Sequence, residues 1–588
     1  MKSIKTNIFI ITITICLFVT LSLPHIFRYL ALGSKYTTLI INGSAATQTS
    51  WEETYTYATE ANRIKNNQPI NDPYIYEYRS KPSPLISEFV PSLLLGIPSK
   101  FLSIPYMFIL IKIILIPAVV LIWYLIAREI GYSKIISVAS ALMGVILQKT
   151  FAYLPYINQL YSYQFSNYLE IQRTYFPLIS SFSISISILL VIKLLKSDYE
   201  PFKKILAGII FGSLFYTYFF AWTIFWMSFV ILAVTLVLKK QFKILKRIVI
   251  PVVTATVIAA PYFVNLLLFS HNPGREDFIL RTIGFPVTDW NLIVIIRFIV
   301  LIYMLIVLNH SWLKVPAKFY LLIFLSSALF LSPLSKLILG ADYQSDHWYE
   351  RFLYPISTFL FTLLVFDVLS KFKPKANSFL ALILILICLS KIVFITVGEI
   401  GRPKANFRIG AGREDLYAWM LKNMPKNSVV ATLSFTESVY LTAYTPYYSY
   451  LPQAYKTIAP KQEILDRYIN LAQFYGVSNN FVTQPFIMPN EPYQNPNSIV
   501  AKDGNAYMML TGILGHFDAY PFPFHKEIRS QILTKLSQTV PWQGRVDYAL
   551  FGPLEQENST NFSQRKCRSL YSNGEYQLFD FKTCKSNS

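Results

Sequence analysis

Runs of apolar residues, each bounded by lysine, arginine or a polar turn, recur along the first two thirds of the chain. Eleven of them, near 7–26, 101–126, 135–152, 176–195, 203–219, 222–238, 248–269, 291–308, 318–338, 352–369 and 378–398, are read as helices crossing a bilayer core of about 30 Å. The stretch from Lys204 to Lys239 is too long for one tilted helix, so a break is expected at Tyr218–Trp222. Beyond 398 the pattern shortens and alternates. There Glu414–Asn423 predicts an amphipathic helix and Ser428–Leu433 a strand. Gln462–Tyr475 predicts a helix stopped by Gly476, and Val546–Phe551 and Tyr576–Phe581 predict late strands.

The charges between the runs set an orientation. With the amino terminus inside, segments 1–6, 127–134, 193–204, 239–247, 309–318 and 370–377 hold 18 Lys+Arg against 3 acids. The opposite loops, 27–100, 153–175, 270–290 and 340–351, hold 11 against 13. That satisfies the positive-inside rule at every connection. An odd number of spans then puts 399–588 outside, and the expected protein sits in the plasma membrane as a multi-pass chain. The first run also carries signal-peptide features, with Lys2, Lys5 and the small residues of Ala31-Leu32-Gly33-Ser34. The alternation of charge holds whether or not that segment is removed.

Composition agrees: 588 residues are 53% hydrophobic and only 14% charged, with a mean hydropathy of +0.41, which excludes disorder and an ordinary soluble enzyme. A net charge of +21 first points to nucleic acid, but its placement between membrane-length runs makes it a topology signal and argues against a nucleic-acid partner. The expected fold is an all-α polytopic membrane domain over 1–398, including the first outer loop 27–100, followed by a soluble α/β domain over 399–588. Four cysteines cannot make a stapling framework. Cys567 and Cys584 lie close enough in sequence for a disulfide closing a terminal hairpin, whereas Cys16 and Cys388 fall inside spans as plain apolar residues. No internal repeat, P-loop or dinucleotide fingerprint is present.

The first outer loop is too long for a connector, and its acids stand among aromatics. It reads Ser50-Trp51-Glu52-Glu53-Thr54-Tyr55-Thr56-Tyr57-Ala58, and later Asn71-Asp72-Pro73-Tyr74-Ile75-Tyr76-Glu77-Tyr78-Arg79. An acid after the first span, Tyr-Ala on a short helix and an acidic Pro-Tyr segment resemble the first outer loop of the GT-C superfamily. Those are polyprenyl-phosphate-sugar-dependent glycosyltransferases, protein mannosyltransferases and aminoarabinose transferases among them. The span number, the outer loops and a tail beginning Leu416-Tyr417-Ala418-Trp419 are similar to that superfamily as well.

The resemblance implies that Glu53 acts as general base, or electrostatic partner, on the acceptor nucleophile. A carboxylate near the membrane surface takes a proton in the transition state if burial raises its pKa toward the working pH. Members usually show Asp or Asp-Glu here, so Glu52 shares the assignment; solvated acids at a helix amino end are the plainer explanation. A lipid-linked sugar donor also needs cations at the outer boundary, where charge builds on the leaving phosphate. Arg351 is the leading candidate, followed by Arg173, Arg281 and Arg297; interfacial anchoring is the competing explanation. Tyr57, Asp72, Glu77, Asp346 and His347 are expected to face sugar or acceptor. No cofactor is implied, and six scattered histidines without ligand spacing argue against a metal. The acceptor is left open as lipid, glycan or protein. Against the transferase stand a transporter or lipid flippase using the intramembrane cations Lys112, Arg297 and Lys391, and an inactive scaffold.

Overall fold

Each of the eleven apolar runs is helical in the computed structural model. The structure describes residues 2–39, 57–154, 156–164, 166, 169–283, 292–339, 345–372, 374–403, 407–451, 457–483, 499–503, 523–560, 562 and 566–585. Among them seven helices are long and apolar enough to cross a membrane: Ile8–Lys35, Ile104–Glu129, Thr174–Lys196, Phe219–Leu238, Phe242–Phe269, Tyr349–Phe372 and Ala376–Ile400. This is an integral membrane protein. The other four runs form shorter apolar segments, Lys134–Ile146, Ile295–Leu308 and Pro316–Leu331 and the helix Pro201–Ser213. The first of these, at 13 residues, extends about 20 Å and falls short of the bilayer core by itself.

The break expected in the run from Lys204 to Lys239 is present. Helix Pro201–Ser213 passes through a 3-10 turn, Leu214–Tyr216, and the chain is extended at Tyr218 (φ −169°, ψ 129°) before Phe219–Leu238 begins. Helix Pro201–Ser213 is seated by two glycines four residues apart. A Cβ at Gly208 would lie 2.5 Å from Thr254 Cβ, and one at Gly212 would lie 2.6 Å from Ile258 Cβ, so only glycine permits this approach to helix Phe242–Phe269. Phe219–Leu238 ends in a Schellman turn: Gln241 N–H donates to Leu236 O (2.8 Å), Lys240 N–H donates to Val237 O (2.9 Å), and Lys240 has φ 54°. A lysine in that left-handed position costs about 1 kcal/mol relative to glycine. At the other end of the sequence of spans, Asp367 accepts hydrogen bonds from Tyr132 (2.6 Å), Asn309 (2.8 Å) and Trp312 (3.3 Å). Asn309, a sequon residue by sequence, is held by that carboxylate.

The chain gathers into two compact units. The first comprises Met1–Tyr36, Phe108–Phe263 and Pro286–Ala405; the second comprises Thr37–Met107, Val264–Phe285 and Asn406–Ser588. These units cut the chain differently from a single division at 398/399, because the first outer loop clusters with the carboxyl-terminal residues. Buried polar bonds make that association: Arg63 donates to Tyr447 O (3.0 Å) and Asn62 to Thr442 O (3.0 Å).

In the second unit five strands, β1 (Val429–Ala431), β2 (Tyr448–Ser449), β3 (Tyr548–Phe551), β4 (Lys566–Ser572) and β5 (Gln577–Lys585), form one sheet of order β2-β1-β3-β5-β4. β1 runs parallel to β2 and β3, while β5 is antiparallel to β3 and β4. Helices Ala411–Asn423 and Lys461–Tyr475 match the predicted ones, and Gly476 ends the second in a left-handed conformation (φ 65°). Tyr468, Ile469 and Tyr475 from that helix lie in the core beside β1 and β3. Cys567 and Cys584 are joined across the β4–β5 hairpin, with Cα atoms 4.1 Å apart. Strand β4 has no alternating apolar pattern, since it is paired on one side and largely exposed, and so it escapes a reading of hydrophobic periodicity.

Candidate functional site

Within the first unit, polar and charged side chains collect where four apolar helices begin or end. The extended backbone at Tyr218 turns its ring out of the helical path and onto Phe176, with ring centroids 3.8 Å apart. Phe176 is itself non-helical (φ −136°, ψ 119°), at the irregular start of the span that continues as Ser180–Lys196. Opposite them, the short helix Ser345–Trp348 and the wide turn Tyr349–Leu353 lead into Tyr354–Phe372 and carry His347, Glu350 and Arg351.

Arg351 is 7% exposed. Its Nη1 donates to the Tyr218 hydroxyl oxygen, and its Nη2 meets His347 Nε2 at 3.0 Å. A guanidinium has only donors, so Nε2 accepts, the imidazole proton sits on Nδ1, and Nδ1 donates to the Tyr218 oxygen at 2.8 Å. The guanidinium also lies over the rings of Tyr218 (5.0 Å) and Phe176 (5.8 Å). Among the described residues no carboxylate pairs with it. Arg351 and Phe352 line a cavity between the helices, bordered by Trp123, Gln148, Ser181 and Ser185. The Ser185 hydroxyl is buried there without a hydrogen-bond partner among the described residues.

A second cation, Lys149, follows the cavity residue Gln148 in sequence and is bound differently. Lys149 Nζ bridges Glu170 (2.8 Å) and Glu350 (2.9 Å). This triad ties the turn Glu170–Gln172 to the residue before Arg351. Neither Lys149 nor Tyr218 is among the site residues the sequence suggests. Their signals were a lysine closing an apolar run and a tyrosine at a compulsory helix break.

Of the residues singled out by sequence, Arg351 and His347 come together. Arg173 directly follows the turn that holds Glu170, and is half-buried. Arg297, in helix Leu292–Leu308, donates to the Tyr156 hydroxyl at 2.7 Å. Lys391 donates to Tyr163 O and to Ser166 Oγ (3.0 Å). Both cations therefore fasten the segment around 152–166. Arg281 lies in helix Arg275–Ile283 and Asp346 in Ser345–Trp348, with side chains outside the described residues. Glu52 and Glu53 lie outside the described residues altogether.

Tyr57, Asp72 and Glu77 belong to the second unit. Tyr57 is buried at the start of helix Ala58–Lys65. Asp72 is fully buried: Oδ1 accepts from Tyr74 N and Ile75 N (both 3.0 Å), and Oδ2 accepts from Thr457 Oγ1 (2.6 Å) and Ile458 N (3.0 Å). Burial pushes its carboxyl up, against the pull of those four bonds. Glu77 accepts from Arg467 Nη2 (2.9 Å) and Arg545 N (2.7 Å). Nearby, Arg63 is fully buried with a neutral set of partners, Pro73 O, Gln68 Oε1 and Tyr447 O, and lies 3.7 Å over the Tyr448 ring.

No protein-family model and no curated protein matches this chain. Among solved structures it is similar to ArnT from Cupriavidus metallidurans, both in the apo state and bound to undecaprenyl phosphate, at 9% identity and a TM-score of 0.47, over 96% of this chain and 97% of that one. It is also similar to the Archaeoglobus fulgidus oligosaccharyltransferase, in its complex with Zn and sulfate, at 11% identity and a TM-score of 0.40, over 90% of this chain and 67% of that one. At these scores the likenesses carry no weight for the site, which rests on the residues of this chain.

Proposed function

We propose that the protein is an integral membrane glycosyltransferase of GT-C type, which moves a sugar from a polyprenyl-phosphate donor to an acceptor on the extracytoplasmic face. The observation that carries the reading is the Arg351 guanidinium, held by the neutral partners Tyr218 and His347 at a cavity between apolar helices. A phosphate leaving the anomeric carbon gains negative charge, and a preoriented, largely dehydrated guanidinium answers that charge better than water does. The apolar helix surfaces beside it suit a prenyl chain. In the reading, Arg351 holds the phosphate, His347 and Tyr218 fix its direction, and Glu53 or Glu52 takes the acceptor's proton. The remaining candidates, Arg173, Arg281, Arg297, Tyr57, Asp72, Glu77 and Asp346, are assigned lesser or structural parts.

Native mass spectrometry of the protein purified in mild detergent tests the donor. A polyprenyl phosphate or its glycoside is expected on the wild type and is expected to be lost from Arg351→Ala. Transfer from that donor should fall by about 100- to 1000-fold in the same variant. Glu53→Gln and Glu52→Gln then separate the two acids, since the acting one should lose transfer while keeping the lipid. Bulk phospholipid alone on both proteins, unchanged by Arg351→Ala, would overturn the reading.

A further inference from the structure

A different cluster of cations lies away from that site, at the hairpin joining two spans of the first unit. Residues 239–247, Lys239-Lys240-Gln241-Phe242-Lys243-Ile244-Leu245-Lys246-Arg247, hold five cations and no acid. Lys239, Lys240, Lys243 and Lys246 are exposed, and the apolar Leu238 and Phe242 beside them are 77% and 52% exposed. The adjacent connector behaves otherwise, because its lysines find acids: Lys196 pairs with Glu129 (2.5 Å) and Lys204 with Asp198 (2.7 Å). Arg247 joins the two connectors by donating to Leu195 O (3.1 Å), and within Coulombic reach it faces Asp198. Lys239 lies 4.5 Å over the Phe319 ring. Among the described residues, none of the five cations has a carboxylate at ion-pair distance.

Orientation of the chain accounts for positive charge in a connector, but not for this arrangement. Lys240 occupies the left-handed position of the Schellman turn (φ 54°), where glycine is unstrained. A side chain is kept there despite the strain, exposed and beside like charges, and strain of this kind directs attention to function. Exposed lysines interleaved with an exposed phenylalanine, next to membrane-length helices, match the surface of an anionic leaflet: headgroup phosphates answer the cations while Phe242 and Leu238 enter the acyl boundary.

We infer that residues 239–247 bind the headgroups of anionic phospholipids, with Lys239, Lys240, Lys243 and Lys246 as the contacting cations. The partner is a lipid phosphodiester in the leaflet that this hairpin faces. The inference stands independently of the transferase reading.

The test places the full chain in nanodiscs of equal parts phosphatidylcholine and phosphatidylglycerol and counts the lipids it retains on release, by native mass spectrometry. The wild type is expected to retain phosphatidylglycerol preferentially. The combined variant Lys239→Gln, Lys240→Gly, Lys243→Gln, Lys246→Gln should lower that enrichment by at least about tenfold. A matched variant with arginine at the four positions should keep it, which separates lost charge from a disturbed fold. Equal retention by the wild type and the glutamine variant overturns the inference, as does loss in the arginine variant. Soluble inorganic phosphate that displaces the lipid at low millimolar concentration would assign the site to free phosphate and overturn the lipid source. Cysteine accessibility on both faces is read in parallel: a glutamine variant that inserts in reverse yet keeps its phosphatidylglycerol shows that the charges serve orientation alone.

Discussion

Asp72 and Arg351 are both buried charges among polar partners, and they differ in who the partners are. Asp72 receives four hydrogen bonds from its own loop and from Thr457 and Ile458, so every acceptor position is used in holding two distant stretches of chain together. Arg351 is met by a tyrosine, an imidazole and two aromatic faces, with no anion among the described residues. Lys149, bridging two carboxylates, falls on the side of Asp72. The contrast teaches that burial alone does not mark a binding group. Neutral partners alone do not either, since Arg63 and Lys391 have them and fasten chain segments; what sets Arg351 apart is that its neutral partners hold it at the lining of a cavity.

Substitutions sharpen that contrast, beginning with the largest loss of stability. Asp72→Ala orphans four donors in a buried loop and is expected to destabilise the second unit by about 3 kcal/mol. Limited proteolysis or thermal unfolding of the purified protein reads this, and an unchanged melting curve would move Asp72 back among the ligand-binding candidates. Lys149→Met leaves Glu170 and Glu350 facing each other. With Glu350 45% exposed, the penalty is discounted for solvent to about 2 kcal/mol. Lys149→Met should lower the melting temperature, and Lys149→Met with Glu170→Gln should recover part of the loss. Tyr218→Phe removes the oxygen that accepts from Arg351 and His347. It should reduce transfer about tenfold with little change in melting temperature; an equal loss of both would make Tyr218 a packing residue only. The smallest effect is expected of Glu77→Gln, below about 1 kcal/mol, because Arg467 keeps Glu463 at 2.8 Å.

Much of this was legible along the chain. Apolar runs specify helices by themselves, so all eleven were found, and Gly476 marks the end of its helix because the left-handed cap favours glycine. Arg351 and His347 were found as members of one loop segment, four residues apart. The rest required long-range proximity. Tyr218 and Arg351 are separated by 133 positions and Asp72 and Thr457 by 385, and local periodicity says nothing of such pairs. For the same reason periodicity does not reveal that Arg63, Asn62 and Asp72 of the first outer loop bond to residues beyond 440. Three-residue β1 and two-residue β2 carry too little pattern to set the sheet order.

The pair Gly208 and Gly212 acts as a ruler. It clamps one end of helix Pro201–Ser213 to its neighbour, backbone against backbone, and the Tyr218 hydroxyl is delivered six residues after the second glycine. Each residue of the 3-10 turn between them rotates the chain by about 120°, so adding or removing a single residue between 213 and 217 would swing that hydroxyl to another side of the bundle. Chains that share this arrangement can exchange most of the side chains in the interval, but they are bound to keep its length.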